Sequence, residues 1–242
     1  TETDKLILQD KDLNYRVLNL ASNTFNENNT SYWHKSIGGY HAAKLRRYQE
    51  MIEEHISAEM NTVFQEVANA GGDMDSVDAT KFPVLNMLNM KYAVVPLQGG
   101  TQAPVQNPYA MGNCWFVDEV ILVDTPDEEC AALSSLDLHK QAVADKKFAE
   151  ALDITKPEVT PLMAFDTTLI QLTSYAPNSL TYESMNERNQ VAVFSEIYYP
   201  YDWHLYIVNA NGEKMELPLA RVNYTLRAAV IPAGHHQLLM EF

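Results

Sequence analysis

The chain has 242 residues, 46% of them hydrophobic, with 17 Lys+Arg against 32 Asp+Glu and a formal net charge of −15. That length accommodates two ordinary domains, each with a sizeable core. The acidity excludes the phosphate-neutralising surface that nucleic-acid binding requires, and it disfavours broad adsorption on an anionic membrane.

Leu13–Leu20 alternates apolar and polar residues and predicts a strand. The asparagine-rich run from Asn23 to Thr30 predicts turns, because Asn, Ser and Thr side chains compete for backbone hydrogen bonds. After Gly38-Gly39 a helix is expected from about His41 to Ile56, with Leu45, Tyr48, Ile52 and Ile56 on its apolar face. Ser57 is the expected cap of a second helix carrying Met60, Val63, Phe64 and Val67, stopped by Gly71-Gly72. Pro83 opens a short helix that leads into a strand at Tyr92–Val95. Asn107 to Gly112 reads as a loop, and Cys114–Val123 as one apolar-rich strand. Thr125-Pro126-Asp127-Glu128 has the pattern of a capped helix start, with Pro at the first helical position and Glu completing a capping box.

Beyond Pro157 and Pro161 the helical period disappears. Thr168–Tyr175, Leu180–Met185, Val191–Ile197, Trp203–Val208, Lys214–Leu217, Arg221–Ile231 and Gln237–Phe242 all read as strands. Asn211-Gly212 signals a hairpin. Pro232-Ala233-Gly234 is expected to close a second hairpin, Arg221–Phe242, with Val222, Tyr224, Leu226, Ala228 and Val230 on one face. The fold class that follows is α+β: an N-terminal mixed α/β domain over 1–158, then an antiparallel β-sandwich over 159–242.

Two cysteines, Cys114 and Cys130, are too few for a disulfide framework and lack CxxC spacing, so independent buried thiols are expected. No apolar run approaches the roughly 20 residues that span a bilayer. The chain starts at Thr1 and stops on Phe242 inside a predicted strand, so both ends read as cut.

No nucleophile elbow, P-loop, HExxH or dinucleotide-binding glycine pattern occurs, so the catalytic residues are unassigned, no cofactor is called for and the segment reads as non-catalytic. His235-His236 are strand neighbours pointing to opposite faces, so no metal site is expected there. Tyr32-Trp33-His34-Lys35, Gly38-Gly39-Tyr40-His41 and Lys44, Arg46 and Arg47 crowd rings, imidazoles and cations into 16 positions. Aromatic planes stack on sugar faces, and Lys or Arg holds phosphate or carboxylate. Trp33, His34, Tyr40, His41, Lys44 and Arg47 are therefore candidate ligand-binding residues. The competing reading makes the rings core and pairs Arg46 with Glu50 along the helix. Tyr198 to His204 forms a second aromatic cluster, with Tyr199 and Trp203 as candidates and core packing as the alternative.

The phrases YRVLNLASNTFNENNTSYWHKSIGGYHAAKLRRYQEMIEEHI, VLNMLNMKYAVV, NPYAMGNCWFVDEV, LTSYAPNSLTYE, AVFSEIYYPYDWH and RAAVIPAGHHQLLMEF, in this order from about Leu13 to Phe242, resemble the YfhO family of bacterial membrane proteins in its Bacteroides-like form. The resemblance implies a polytopic membrane protein similar to glycosyltransferases that use lipid-linked sugars on cell-envelope glycans. This chain would be its soluble extracytoplasmic region. The partners implied are an envelope glycan or lipid-linked sugar, and the membrane through flanking helices outside the chain. Transferase carboxylates are expected beside those helices, so catalytic positions are not carried over. Acceptor binding or scaffolding is the role that remains. The alternatives are a free-standing secreted carbohydrate-binding protein and a secreted hydrolase.

Overall fold

The computed structural model describes residues 1–153 and 168–242. The chain divides into two compact units, Thr1–Gly112 and Asn113–Phe242. The domain boundary expected at 158 lies outside the described residues.

The first unit begins with α1 (Glu2–Ile7) and β1 (Arg16–Asn19). Two short helices follow, α2 (Asn29–Trp33) and α3 (Arg46–Met51). Next come α4 (Ser57–Asn69), α5 (Pro83–Met87), β2 (Met90–Pro96) and β3 (Gln102–Gln106). The sheet order is β1-β2-β3, with β1 parallel and β3 antiparallel to β2. The break expected at Ser57 is absent. A π-helical turn, Ile52–Ile56, joins α3 to α4, and the Ser57 hydroxyl donates to the Ile52 carbonyl at 2.7 Å instead of capping. The π turn inserts a residue into the 3.6 repeat and re-aims the buried face. Met51, Ile52, His55, Ile56, Glu59, Val63 and Val67 are buried, whereas Leu45 and Phe64, expected on the apolar face, are exposed.

Buried asparagines tie this unit together. Asn107 donates to the Asn86 side chain at 2.9 Å and to the Met90 carbonyl at 2.8 Å. Asn89, at φ 56°, donates to the Asn14 carbonyl, and buried Arg16 donates to the Leu88 carbonyl. These bonds satisfy backbone groups that the short helix and its turn would otherwise leave unpaired.

Glu59 closes the N-terminus of α5. Its two carboxylate oxygens accept from the backbone N–H groups of Val84 at 3.0 Å and Leu85 at 2.8 Å. Burial pushes its pKa up to about 7, against the pull of those two donors. The folded pKa is raised, so the associated stability is present below the ordinary glutamate range and lost as pH rises through 7. Between pH 4.5 and 7 the wild type should lose about 3 kcal/mol more unfolding free energy than Glu59→Gln. Urea unfolding across that window measures the difference in slope.

The second unit holds β4 (Cys114–Val117), β5 (Glu119–Val123), α6 (Pro126–Ala132) and β6 (Gln141–Asp145). After the undescribed segment come β7 (Leu169–Ala176), β8 (Ser179–Asn186) and β9 (Gln190–Ile197). The chain continues through β10 (His204–Val208), β11 (Lys214–Leu217) and β12 (Ala220–Val222), and ends with β13 (Leu226–Ile231) and β14 (Gly234–Glu241). Two antiparallel sheets, β11-β10-β14-β8-β7 and β12-β13-β9-β4, accompany a parallel pair, β5-β6. Leu180, Tyr182, Phe194, Leu205, Ala229, Ile231, Leu238 and Met240 form one buried cluster with members from both antiparallel sheets. The fold is therefore α+β with a sandwich-like C-terminal part.

Three strand expectations change. Cys114–Val123 is two strands in different sheets, broken at Asp118. Arg221–Ile231 is also two strands, because Asn223 (φ 49°) and Tyr224 (φ 68°) turn the chain between β12 and β13. The closing hairpin Arg221–Phe242 does not exist. β13 pairs with β9 and β12, whereas β14 pairs with β8 and β10, so Pro232-Ala233 carries the chain from one sheet to the other. The hairpin at Asn211-Gly212 is present between β10 and β11, with Gly212 at φ 84°. The capping box at Thr125 and Glu128 is formed as the spacing predicts. Both cysteines are free and buried.

Candidate functional site

The aromatic–basic segment is pinned to the asparagine-rich loop of the first unit. Gly39 N–H donates to the Thr24 carbonyl at 2.7 Å, and Tyr40 N–H donates to the Glu27 carbonyl at 2.9 Å. The Gly39 α-carbon also sits against Ser31 on α2, since a methyl there would lie 3.7 Å from its hydroxyl. Lys44 Nζ lies 5.3 Å from the centre of the Phe25 ring. Residues 38–44 therefore run alongside 24–31, against the start of α2, whose end carries Tyr32 and Trp33.

That region keeps its rings in solvent. Tyr32 is 78% exposed, Tyr40 60% and Trp33 47%. The Tyr32 and Trp33 rings meet edge-to-face with centroids 5.0 Å apart. His41 is exposed, and its Nδ1 accepts from the Ala43 backbone N–H at 3.1 Å. Arg46 pairs with Glu50 at 2.7 Å along the helix, as the spacing predicts. Arg47 is half-buried at the start of α3. A core role for these rings would require burial, and Tyr32, Trp33 and Tyr40 lack it.

His34 is the departure. Its side chain is 2% exposed and its Nε2 lies 3.0 Å from Asp4 Oδ1, so it joins α1 to the end of α2 and offers nothing to a ligand. His34→Ala should lower stability by about 1–3 kcal/mol, the cost of leaving Asp4 without that partner. Thermal unfolding beside Tyr40→Ala, which should leave the midpoint unchanged, checks the contrast.

In the second unit, Tyr199 and Tyr201 are exposed and meet edge-to-face at 5.5 Å. Trp203 is a packing residue. It lies half-buried against the sandwich core, with the Arg227 guanidinium 3.9 Å above its ring and Phe242 at 5.4 Å. His235 is exposed, and His236 Nε2 lies 3.2 Å from the Ala233 carbonyl. Among the described residues no three His, Cys, Asp or Glu side chains are grouped to hold a metal. Among them, too, no helix is long and apolar enough to cross a membrane. No family model, curated protein or solved structure matches this chain.

Sequence reasoning passed over three features. Asn23, Asn26, Asn28 and Asn29 read only as turn formers, yet they are exposed beside the rings, where carboxamides suit sugar hydroxyls. Lys91 bridges Asp10, at 2.6 Å, and Asp12, while Tyr92 donates its hydroxyl to Asp10 at 2.8 Å. Burial opposes ionisation of Asp10, but hydrogen bonds from Lys91, the Asp12 backbone and Tyr92 hold its pKa below the usual carboxylate range. This cluster spends its groups on one another and fastens residues 10–15 to β2. The third feature is an open cavity of about 430 Å³ lined by Asp73, Met74, Asp75, Pro104, Val105 and Pro108, among others. Its Asp73 carboxylate is committed to the Asp75 N–H and the Ser76 hydroxyl.

Proposed function

We propose that this chain is the soluble extracytoplasmic region of a YfhO-like polytopic membrane protein, a lipid-linked-sugar glycosyltransferase acting on cell-envelope glycans, and that the region holds the acceptor. The observation that carries the binding role is the set of solvent-exposed rings: Tyr32 and Trp33 at the end of α2, and Tyr40 on the pinned segment with His41 and Lys44. Ring faces left in water keep apolar surface hydrated, and a stacked pyranose face covers that surface. The quoted family phrases support the membrane context.

The binding test is titration of the chain with envelope polysaccharides. Trp33→Ala and Tyr40→Ala should each weaken binding roughly tenfold, with the unfolding midpoint unchanged. If those variants unfold, the rings are packing residues. The full open reading frame tests the context: lack of flanking transmembrane helices would refute it. The exposed Tyr199–Tyr201 pair on the β9–β10 loop favours a second reading, a free-standing secreted carbohydrate-binding protein. A signal peptide directly upstream distinguishes it.

A further inference from the structure

We infer that Asn211 is a self-modification site, whether or not the chain binds a glycan. Its side chain closes on the backbone of Gly212 to a succinimide, water opens the ring to aspartate and isoaspartate, and the isoaspartate form releases strand β11. Asn211 is the one asparagine of the sequence that precedes a glycine. Glycine has no Cβ to shield its amide nitrogen and has the freest backbone, so it lets the ring close most readily. Residues 209–216 are all exposed, so water and hydroxide reach the tip of the β10–β11 hairpin. The space beside Gly212 is open, since a Cβ there would find nothing within 4 Å. The Glu213 N–H donates to Asn211 Oδ1 at 3.1 Å, which stabilises that oxygen as negative charge gathers on it. The Gly212 N–H donates to the Asn209 carbonyl at 2.8 Å, so attack waits for that one bond to open. At an exposed tip leading into an edge strand, such local opening costs far less than global unfolding.

Hydroxide takes the Gly212 amide proton, and the nitrogen bonds to Asn211 Cγ. The Cγ–Nδ2 bond breaks, water returns a proton to the leaving nitrogen, and it departs as ammonia. Water then adds to one of the two imide carbonyls. Opening on one side gives aspartate, and opening on the other carries the main chain through Cβ and Cγ of residue 211. That isoaspartate lengthens the backbone by one carbon inside a tight turn. β11 lies at the edge of its sheet and is fixed to β10 by four register pairs, from Val208 with Lys214 to Leu205 with Leu217. A longer turn shifts that register, withdraws Leu217 from the core and separates Lys214 from Glu241 and Glu216 from His204.

The test is peptide mapping of the full folded chain after incubation in mildly alkaline buffer. Mass spectrometry should find the amide-to-acid mass gain at residue 211, as both aspartate and isoaspartate. It should accumulate several-fold faster than at Asn178, an exposed asparagine followed by Ser179. Asn211→Gln would need a six-membered ring and should stay unmodified. Hydrogen exchange should show the β11 amides losing protection in the isoaspartate fraction. Asn211→Asp adds the charge without the extra carbon and should keep them protected. No conversion at residue 211 in the folded chain, where the urea-unfolded chain converts, overturns the site. Conversion to aspartate alone overturns the succinimide route, because direct hydrolysis leaves no isoaspartate. Isoaspartate with β11 protection intact overturns the strand release.

Discussion

Replacing Glu129 with alanine should destabilise the second unit by about 3–5 kcal/mol, because it strands a buried guanidinium. Glu129 is fully buried on α6. One carboxylate oxygen lies 3.0 Å from Arg221 Nη2, and the other accepts the Tyr224 backbone N–H at 3.2 Å. Arg221 itself is 6% exposed, lies across the Phe148 ring at 5.2 Å and reaches Asp145 at only 4.0 Å. Without Glu129 it has a weak substitute partner and no route to water. The double variant Glu129→Leu with Arg221→Met removes both charges and should recover most of the loss. Denaturant unfolding followed by Trp115 and Trp203 fluorescence checks this. A single variant as stable as wild type would mean that Asp145 takes over the pairing.

Gly38→Ala is expected to cost about 3–5 kcal/mol in the first unit. A Cβ there would lie 2.0 Å from the Thr24 carbonyl oxygen and 2.8 Å from its carbon, both backbone atoms that cannot swing aside. The strap through residues 36–40 would have to lift, breaking the Gly39–Thr24 and Tyr40–Glu27 bonds that pin the ring patch. Glycan binding should therefore fall together with stability. Gly99→Ala is the control. Its backbone is at φ 80°, yet nothing lies within 4 Å of the new methyl, so a conformational cost of about 1 kcal/mol is the whole effect. Thermal unfolding of both variants gives the comparison.

The patch was legible in part. Its rings and cations stand close in sequence, so their crowding can be seen without a fold. Burial cannot be. Trp33 and His34 are adjacent, yet one ring faces solvent and the other is locked against Asp4, 30 positions away. Trp203 at a strand start reads first as core and second as an exposed ring, and the stacking of Arg227, from a strand 24 positions later, fixes it as packing. The exposed asparagines were visible as residues but not as neighbours of the rings.

Local chemistry explains what the residues alone determined. The Thr125–Glu128 capping box, the Pro83 helix start, the Gly71-Gly72 stop and the Asn211-Gly212 hairpin each depend on groups within a few residues, so type and spacing suffice. The α+β class follows from the change in hydrophobic period along the chain. Tertiary structure decided which strands pair. Arg221–Ile231 alternates well enough to be one strand, but Asn223 exchanges two hydrogen bonds with Val143 and bends the chain toward β6. β13 and β14 are joined by a two-residue turn and still go to different sheets, because β9 and β8 hold the pairing positions beside them. Partners from 29 positions away (Leu226 and Ile197) to 80 (Asn223 and Val143) set those outcomes, and a periodicity window cannot contain them.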